Sequence, residues 1–196
     1  MNLPNSITLA RIPLMFLIVG LMYCDRAGAA TIAFALFIAA AVSDWLDGYI
    51  ARRRGLVTIF GKLMDALTDK IMVLGLVIAL VGKGEVPIAL ALITLCREFL
   101  VTGMRMVAAS KGVIVAADRG GKSKTLTQLI ALGFLIGEPM VRRDWAIMLP
   151  WNMNPFADVV HQIGAWVFVL GTALAVWSGC RYIIQFRGVV LDAADR

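Results

Sequence analysis

Long apolar stretches alternate along this chain with short, strongly polar breaks, at roughly 7–24, 29–50, 62–82, 86–109, 124–141 and 159–184. A helix rising about 1.5 Å per residue needs about twenty residues to cross about 30 Å of hydrocarbon, and the runs are near that length. Within a bilayer each backbone N–H and C=O must be satisfied by the segment itself, which favours helices. The pattern therefore predicts an all-α, polytopic membrane protein with six transmembrane helices. Pro13 falls inside the first run, where a membrane helix tolerates a kink. The stretch from Glu138 to Asp158 reads as the longest irregular connection, a surface cap whose Trp145, Trp151 and Phe156 suit an interfacial aromatic belt. No repeat or compositional break divides the chain, so residues 1–196 read as one membrane domain.

Six spans put both termini on one side. Arg52, Arg53, Arg54 and Lys62 lie between the second and third runs, and Lys111, Arg119, Lys122 and Lys124 between the fourth and fifth. The opposite breaks carry Arg26, Lys83, Arg142 and Arg143. Short loops rich in Lys and Arg stay inside, so the N- and C-termini are expected to be cytoplasmic, with the chain in the inner (cytoplasmic) cell membrane. The first run lacks a lysine-rich flank and a small-residue cleavage site, and is expected to remain as a span.

Composition agrees: 196 residues, 60% hydrophobic, 16% charged and a net charge of +6 exclude a solvated disordered chain and fit an ordinary soluble domain poorly. Cys24, Cys96 and Cys180 are far apart, with neither a disulfide framework nor metal-ligand spacing, and read as small buried hydrophobes. The lone His161 starts the sixth run and reads as structural. No nucleic-acid partner is expected.

One constellation breaks the apolar pattern in a way that topology does not explain. Asp44 and Asp47, three apart, close the second run, while Asp65 and Asp69, four apart, open the third. Each spacing puts its pair on one helix face. Two helices joined by a short turn are expected to be antiparallel neighbours, so the four carboxylates can converge just inside the membrane surface. An Asp at membrane depth costs up to about 2.5–3.5 kcal/mol, and mutual repulsion adds to that. An oxygen-only donor set suits hard Mg²⁺ or Mn²⁺, and four carboxylates suit two ions, an arrangement that serves phosphate chemistry. The same carboxylates could instead line a divalent-cation transporter. Their confinement to one membrane face, with no ionisable series leading through the spans, argues against it.

Asp44-x-x-Asp47-Gly48-x-x-Ala51-Arg52, eight residues, then Gly61-x-x-x-Asp65-x-x-x-Asp69 resembles the signature of the CDP-alcohol phosphotransferases, integral membrane enzymes of phospholipid synthesis. The resemblance implies six transmembrane helices, a homodimer, and a cytoplasm-facing cavity where a CDP-linked lipid and an acceptor alcohol meet over metal. It implies metal ligation by Asp44, Asp47, Asp65 and Asp69, with Asp69 also the general base. The CDP-lipid would be bound by Asp44, Gly48, Ala51, Arg52 and Gly61, where small residues admit the nucleotide and an Arg fork suits a diphosphate. Arg53 and Arg54 are left to anchoring and anionic headgroups.

Farther on, Arg97-Glu98 and Arg105 lie too deep in the fourth run for anchoring, and Lys122-Ser-Lys124 follows without the glycine spacing of a nucleoside-triphosphate loop. This excess of positive charge suggests an anionic acceptor, a phosphate ester. NLPNSITLAR (2–11), CREFLVTGMR (96–105) and GKSKTLTQ (121–128) further resemble the phosphatidylglycerophosphate synthases of that family. That resemblance implies CDP-diacylglycerol as donor and sn-glycerol 3-phosphate as acceptor, among membrane lipids. Arg97, Arg105, Lys122, Lys124 and Arg11 are the acceptor-phosphate candidates, with Asn5 and Thr8 as secondary lining. Glu98 either orients a neighbouring arginine or forms an internal ion pair that holds the bundle together. Inositol phosphate, serine or a second phospholipid are the alternative acceptors.

Overall fold

The computed structural model describes the backbone of residues 3–54, 59–110 and 119–194, and the side chains of residues 10–43, 67–108 and 123–184. The chain is all-helical, with no strand among the described residues. Its elements are α1 (Leu3–Met22), α2 (Ala29–Arg54), α3 (Ile59–Gly82), α4 (Ile88–Ser110), α5 (Arg119–Pro139), a π-helical turn (Met140–Trp145), the single-turn α6 (Ala146–Met148) and α7 (Asn154–Ala194). The six long helices coincide with the six apolar runs. α1 passes through Pro13 uninterrupted. Gly28 and Gly84, at φ +83° and +77°, make the left-handed turns after α1 and α3 that a side chain would strain.

The stretch read as an irregular connection is largely helical. Charge interrupts the apolar pattern at Arg142, Arg143 and Asp144, but each finds an ionic or hydrogen-bonding partner, so the helix continues past its apolar run. α7 is 41 residues long, about 60 Å at 1.5 Å per residue, and exceeds the hydrocarbon thickness. Among the described residues, Asn154–Ile184 of α7 is the one helical stretch both long and apolar enough to cross a membrane; Ala10–Met22 and Ala29–Ser43 are shorter apolar stretches.

Specific contacts fix how the helices run. Arg11 meets Asp69, Met15 fills the notch at Gly75, and the Met22 carbonyl accepts from Lys83, so α1 and α3 are parallel. Thr94 meets Thr172 and Arg97 meets Ser178, which makes α4 and α7 parallel too. α5 runs against both α2, through Gly137 on Phe34 and Gly133 on Phe37, and α7, through Gln128 on Gly171 and Phe134 on Gly164. At Gly164 an added Cβ would lie 2.9 Å from Phe134 Cβ, so a glycine is needed for this approach. α2 and α3, expected to be direct neighbours, share no extensive contact among the described residues. α1 packs against each of them.

Among the described residues the bundle is apolar both inside and on its outer faces, unlike a water-soluble bundle. Ile18, Phe37, Leu76, Leu80 and Leu132 fill the centre, yet Thr94, Gln128, Thr172 and Ser178 are buried with them. Facing outward are Phe16 on α1, Ile78 on α3, Phe99 on α4, Leu126 on α5 and Trp166 on α7, the last 73% exposed. An apolar surface this extensive needs an apolar surrounding.

One end of the bundle is tied by polar contacts. Arg142 pairs with Glu138 and Asp158, Arg143 with Asp25 at 3.0 Å, and His161 Nδ1 lies 3.1 Å from Glu85. The Tyr23 hydroxyl donates to the Ala79 carbonyl. The π-helical turn delivers Asp144 to the start of α2, where it accepts from the Gly28 and Thr31 amides and the Thr31 hydroxyl. A carboxylate here satisfies amides that the helix leaves unpaired and complements its dipole. Burial works to raise the Asp144 carboxyl, but the Thr31 and Gly28 hydrogen bonds, aided by Arg143, hold it below the ordinary carboxylate range. The three cysteines are unpaired thiols, of which Cys96 and Cys180 face outward; the burial expected for them is not found.

Candidate active site

α2 carries Asp44, Asp47, Gly48, Ala51 and Arg52 near its C-terminal end, and α3 carries Gly61 and Asp65 in its first turns. Their side chains, with those of Asn5, Thr8 and Lys122, lie outside the described residues. Asp69 is the member of the constellation that is described. It sits on α3 with its side chain 44% exposed, and Arg11 Nη1 donates to its Oδ1 at 2.5 Å. Arg11 is almost wholly buried, at 4% exposure.

A second polar group joins α4, α5 and α7. Glu98 accepts from Arg97 Nη1 at 2.8 Å and from the Lys124 ammonium. Arg97 also donates to α7: Nη2 to the Ser178 hydroxyl at 2.8 Å and Nε to the Ala175 carbonyl at 3.2 Å. Gly179 leaves room for this, since a Cβ there would come within 3.1 Å of Arg97 Cγ. Next along the same end, Lys70 donates to the Thr102 hydroxyl, which donates back to the Glu98 carbonyl at 2.7 Å. Arg105 lies over the Tyr182 ring at 5.5 Å, and its Nε is buried with no hydrogen-bond partner among the described residues. Lys70 is within electrostatic reach of Glu98, Arg105 and Arg97. Among the described residues of this group, cations thus outnumber Glu98, its one carboxylate.

The candidates fall into two sets. Arg97, Arg105 and Lys124 share one neighbourhood, and Glu98 pairs internally with Arg97 and Lys124. Arg11 belongs to the other set, beside Asp69. Lys70, Thr102, Ser178 and Tyr182 join the basic neighbourhood without having been singled out in the sequence. Lys70 could have been found, since it follows Asp69 on the third run; Tyr182 lies far outside the motif segments.

A cavity of about 410 Å³ lies between α2, α5 and α7 and is lined by Phe34, Phe37, Ile130, Phe134 and other apolar groups. It holds no ionisable side chain and is not the chemical centre. No cluster of three metal-ligating side chains occurs among the described residues, which exclude Asp44, Asp47 and Asp65.

The family model for CDP-alcohol phosphatidyltransferases matches residues 1–177. The chain belongs to that family. Members of the CDP-alcohol phosphatidyltransferase family use divalent metal ions, and the all-oxygen donors of the signature fit a hard cation. Among curated relatives, a Bacillus subtilis protein named CDP-diacylglycerol–glycerol-3-phosphate 3-phosphatidyltransferase is 40% identical over 191 aligned positions, covering 90% of this chain and 92% of its own length. A Rickettsia typhi protein of the same name is 42% identical over 177 positions, covering 90% and 94%. A cardiolipin synthase (CMP-forming) of Oryza sativa is 31% identical over 208 positions, covering 97% of this chain and 59% of its own length.

Proposed function

We propose that this protein transfers the phosphatidyl group of CDP-diacylglycerol to sn-glycerol 3-phosphate, giving phosphatidylglycerophosphate and CMP. Relatives of that name, at about 40% identity over nine-tenths of the chain, support the donor and the reaction. The observation that carries the acceptor is the cationic neighbourhood of Lys70, Arg97, Arg105 and Lys124, with the Arg105 Nε–H buried and lacking a partner among the described residues. Fixed cations with donors to spare suit a phosphate monoester. A neutral acceptor such as serine would leave this charge uncompensated among the described residues.

In the reaction, Asp69 takes the proton of the acceptor hydroxyl, whose oxygen attacks the lipid-side phosphorus. The bond from that phosphorus to the bridging oxygen breaks, and CMP departs with the electron pair. Asp44, Asp47, Asp65 and Asp69 would hold Mg²⁺ or Mn²⁺, two ions on the count of carboxylates, which would polarise the diphosphate and absorb charge on the leaving nucleotide. Gly48, Ala51, Arg52 and Gly61 flank the nucleotide, and Lys122 joins Arg97, Arg105 and Lys124 at the acceptor phosphate.

The chain forms one domain, 1–196, in the inner (cytoplasmic) membrane, as a homodimer with its active site facing the cytoplasm. Six membrane spans with both termini on one side are supported by the helix directions and by the outward-facing apolar side chains on the long helices, and the Lys- and Arg-rich breaks make that side the cytoplasm. Purified protein in detergent, given CDP-diacylglycerol and Mg²⁺ or Mn²⁺, is tested with glycerol 3-phosphate, inositol phosphate, serine and phosphatidylglycerol. CMP release with glycerol 3-phosphate alone is expected. Preference for phosphatidylglycerol would move the protein toward the activity named for the rice relative.

A further inference from the structure

The buried guanidinium of Arg11 is expensive to place inside an apolar bundle without a counter-charge. Arg11 is 4% exposed and Asp69, 58 positions away, receives its Nη1 hydrogen bond at 2.5 Å. The register that makes them meet is built into the packing of α1 on α3. One turn beyond Arg11, Met15 seats its thioether against Gly75, where any Cβ would collide with it, and Ile18 and Leu76 are fully buried in the same core. Farther along, Lys83 and Tyr23 tie the same two helices to each other's carbonyls. α1 is thereby held in one axial position, and Arg11 with it.

We infer that Arg11 is a positioning residue for Asp69: its fixed guanidinium engages Oδ1 and sets the carboxylate orientation for ligation and proton transfer, instead of binding the acceptor phosphate. The inference rests on the proposed role of Asp69. Its basis is geometric, since the acceptor-side cations Arg97 and Lys124 are engaged with Glu98 whereas Arg11 is engaged with Asp69. A partner that orients a metal-ligating or proton-accepting group affects turnover more than substrate affinity, and its loss lowers activity or metal affinity by about 10–100-fold.

The test compares the full-length protein with Arg11→Gln, Arg11→Lys, Asp69→Asn and the Arg11→Gln/Asp69→Asn double variant, all in detergent. Helicity by circular dichroism identifies any variant that fails to fold. Two readouts are taken: kcat and acceptor KM for CMP release, and Mn²⁺ affinity by electron paramagnetic resonance without substrate. For Arg11→Gln the expected result is a kcat lower by about 10–100-fold with acceptor KM within about two-fold, and partial recovery in Arg11→Lys. Mn²⁺ affinity should fall about ten-fold in Arg11→Gln but show no further loss when the same change is made in Asp69→Asn. A raised acceptor KM with kcat intact would return Arg11 to the phosphate pocket and overturn the inference. An Arg11→Gln effect on Mn²⁺ that is equal in both backgrounds, or absent in both, would overturn it as well. Wild-type protein that releases no CMP with glycerol 3-phosphate would instead remove the proposed acceptor, while the Mn²⁺ comparison would still decide what Arg11 does.

Discussion

Asp69 stands at the boundary between the dry bundle and the open end of α3, with its backbone in the packed helix and its carboxylate half-exposed. That is a position from which a base can reach a soluble acceptor. Asp69→Asn should abolish CMP release with helicity unchanged; a variant retaining a substantial part of wild-type kcat would remove Asp69 as the base. Glu98 is a different kind of acid. It neutralises Arg97 and Lys124 in the interior, and its removal leaves two buried cations facing each other. Glu98→Ala should therefore cost about 3–5 kcal/mol in unfolding measured in mixed micelles. A loss below about 1 kcal/mol, the range of exposed ion pairs, would mean that water reaches the network. The partnership of Arg11 with Asp69 could not be read from the sequence, because residue type and spacing do not specify contacts across 58 positions. The acidic signature was legible because its spacing is local to two helix faces.

At the scale of elements, small residues on α7 determine how closely its neighbours approach. Gly164→Ala would force a Cβ to 2.9 Å from Phe134 Cβ and 3.0 Å from Leu135 side-chain atoms. Phe134 Cβ cannot move without its backbone, so the cost should be about 1–3 kcal/mol. Gly75→Ala meets only the flexible end of Met15, which can swing away, and thermal melts should show the smaller loss there. Equal losses would contradict this account of the α5–α7 contact. The cap on α2 adds a pH dependence. Asp144 has its folded-state pKa depressed, so its stabilisation is complete above the unfolded value of about 3.9 and fades as pH falls through the lower folded value. Asp144→Asn should lower Tm at pH 7, and the gap to wild type should narrow as pH is lowered from about 4 toward 3. A gap that widens with acid would reverse the assigned sign. Asp144 itself was illegible in the sequence, since the π-helical turn that aims it at Thr31 leaves no local signature.

The whole molecule is a bundle of six long helices with an apolar core and apolar outer faces, and the helices were legible because their apolar runs have the length expected of membrane spans. Their neighbours were less so. A short connection suggests α2 directly against α3; the facing ends, residues 44–66, lie outside the described side chains, and among the described residues α1 packs against each helix. Helices extend past their apolar runs where charge is satisfied in pairs, as in the stretch from Glu138 to Asp158. The central claim concerns which phosphorus the acceptor attacks and what leaves. sn-Glycerol 3-phosphate carrying ¹⁸O in its primary hydroxyl should give, with CDP-diacylglycerol and Mn²⁺, ¹⁸O-labelled phosphatidylglycerophosphate and an equal amount of unlabelled CMP by mass spectrometry. Label appearing in a cytidylyl product, or no phosphatidylglycerophosphate at all, would contradict it.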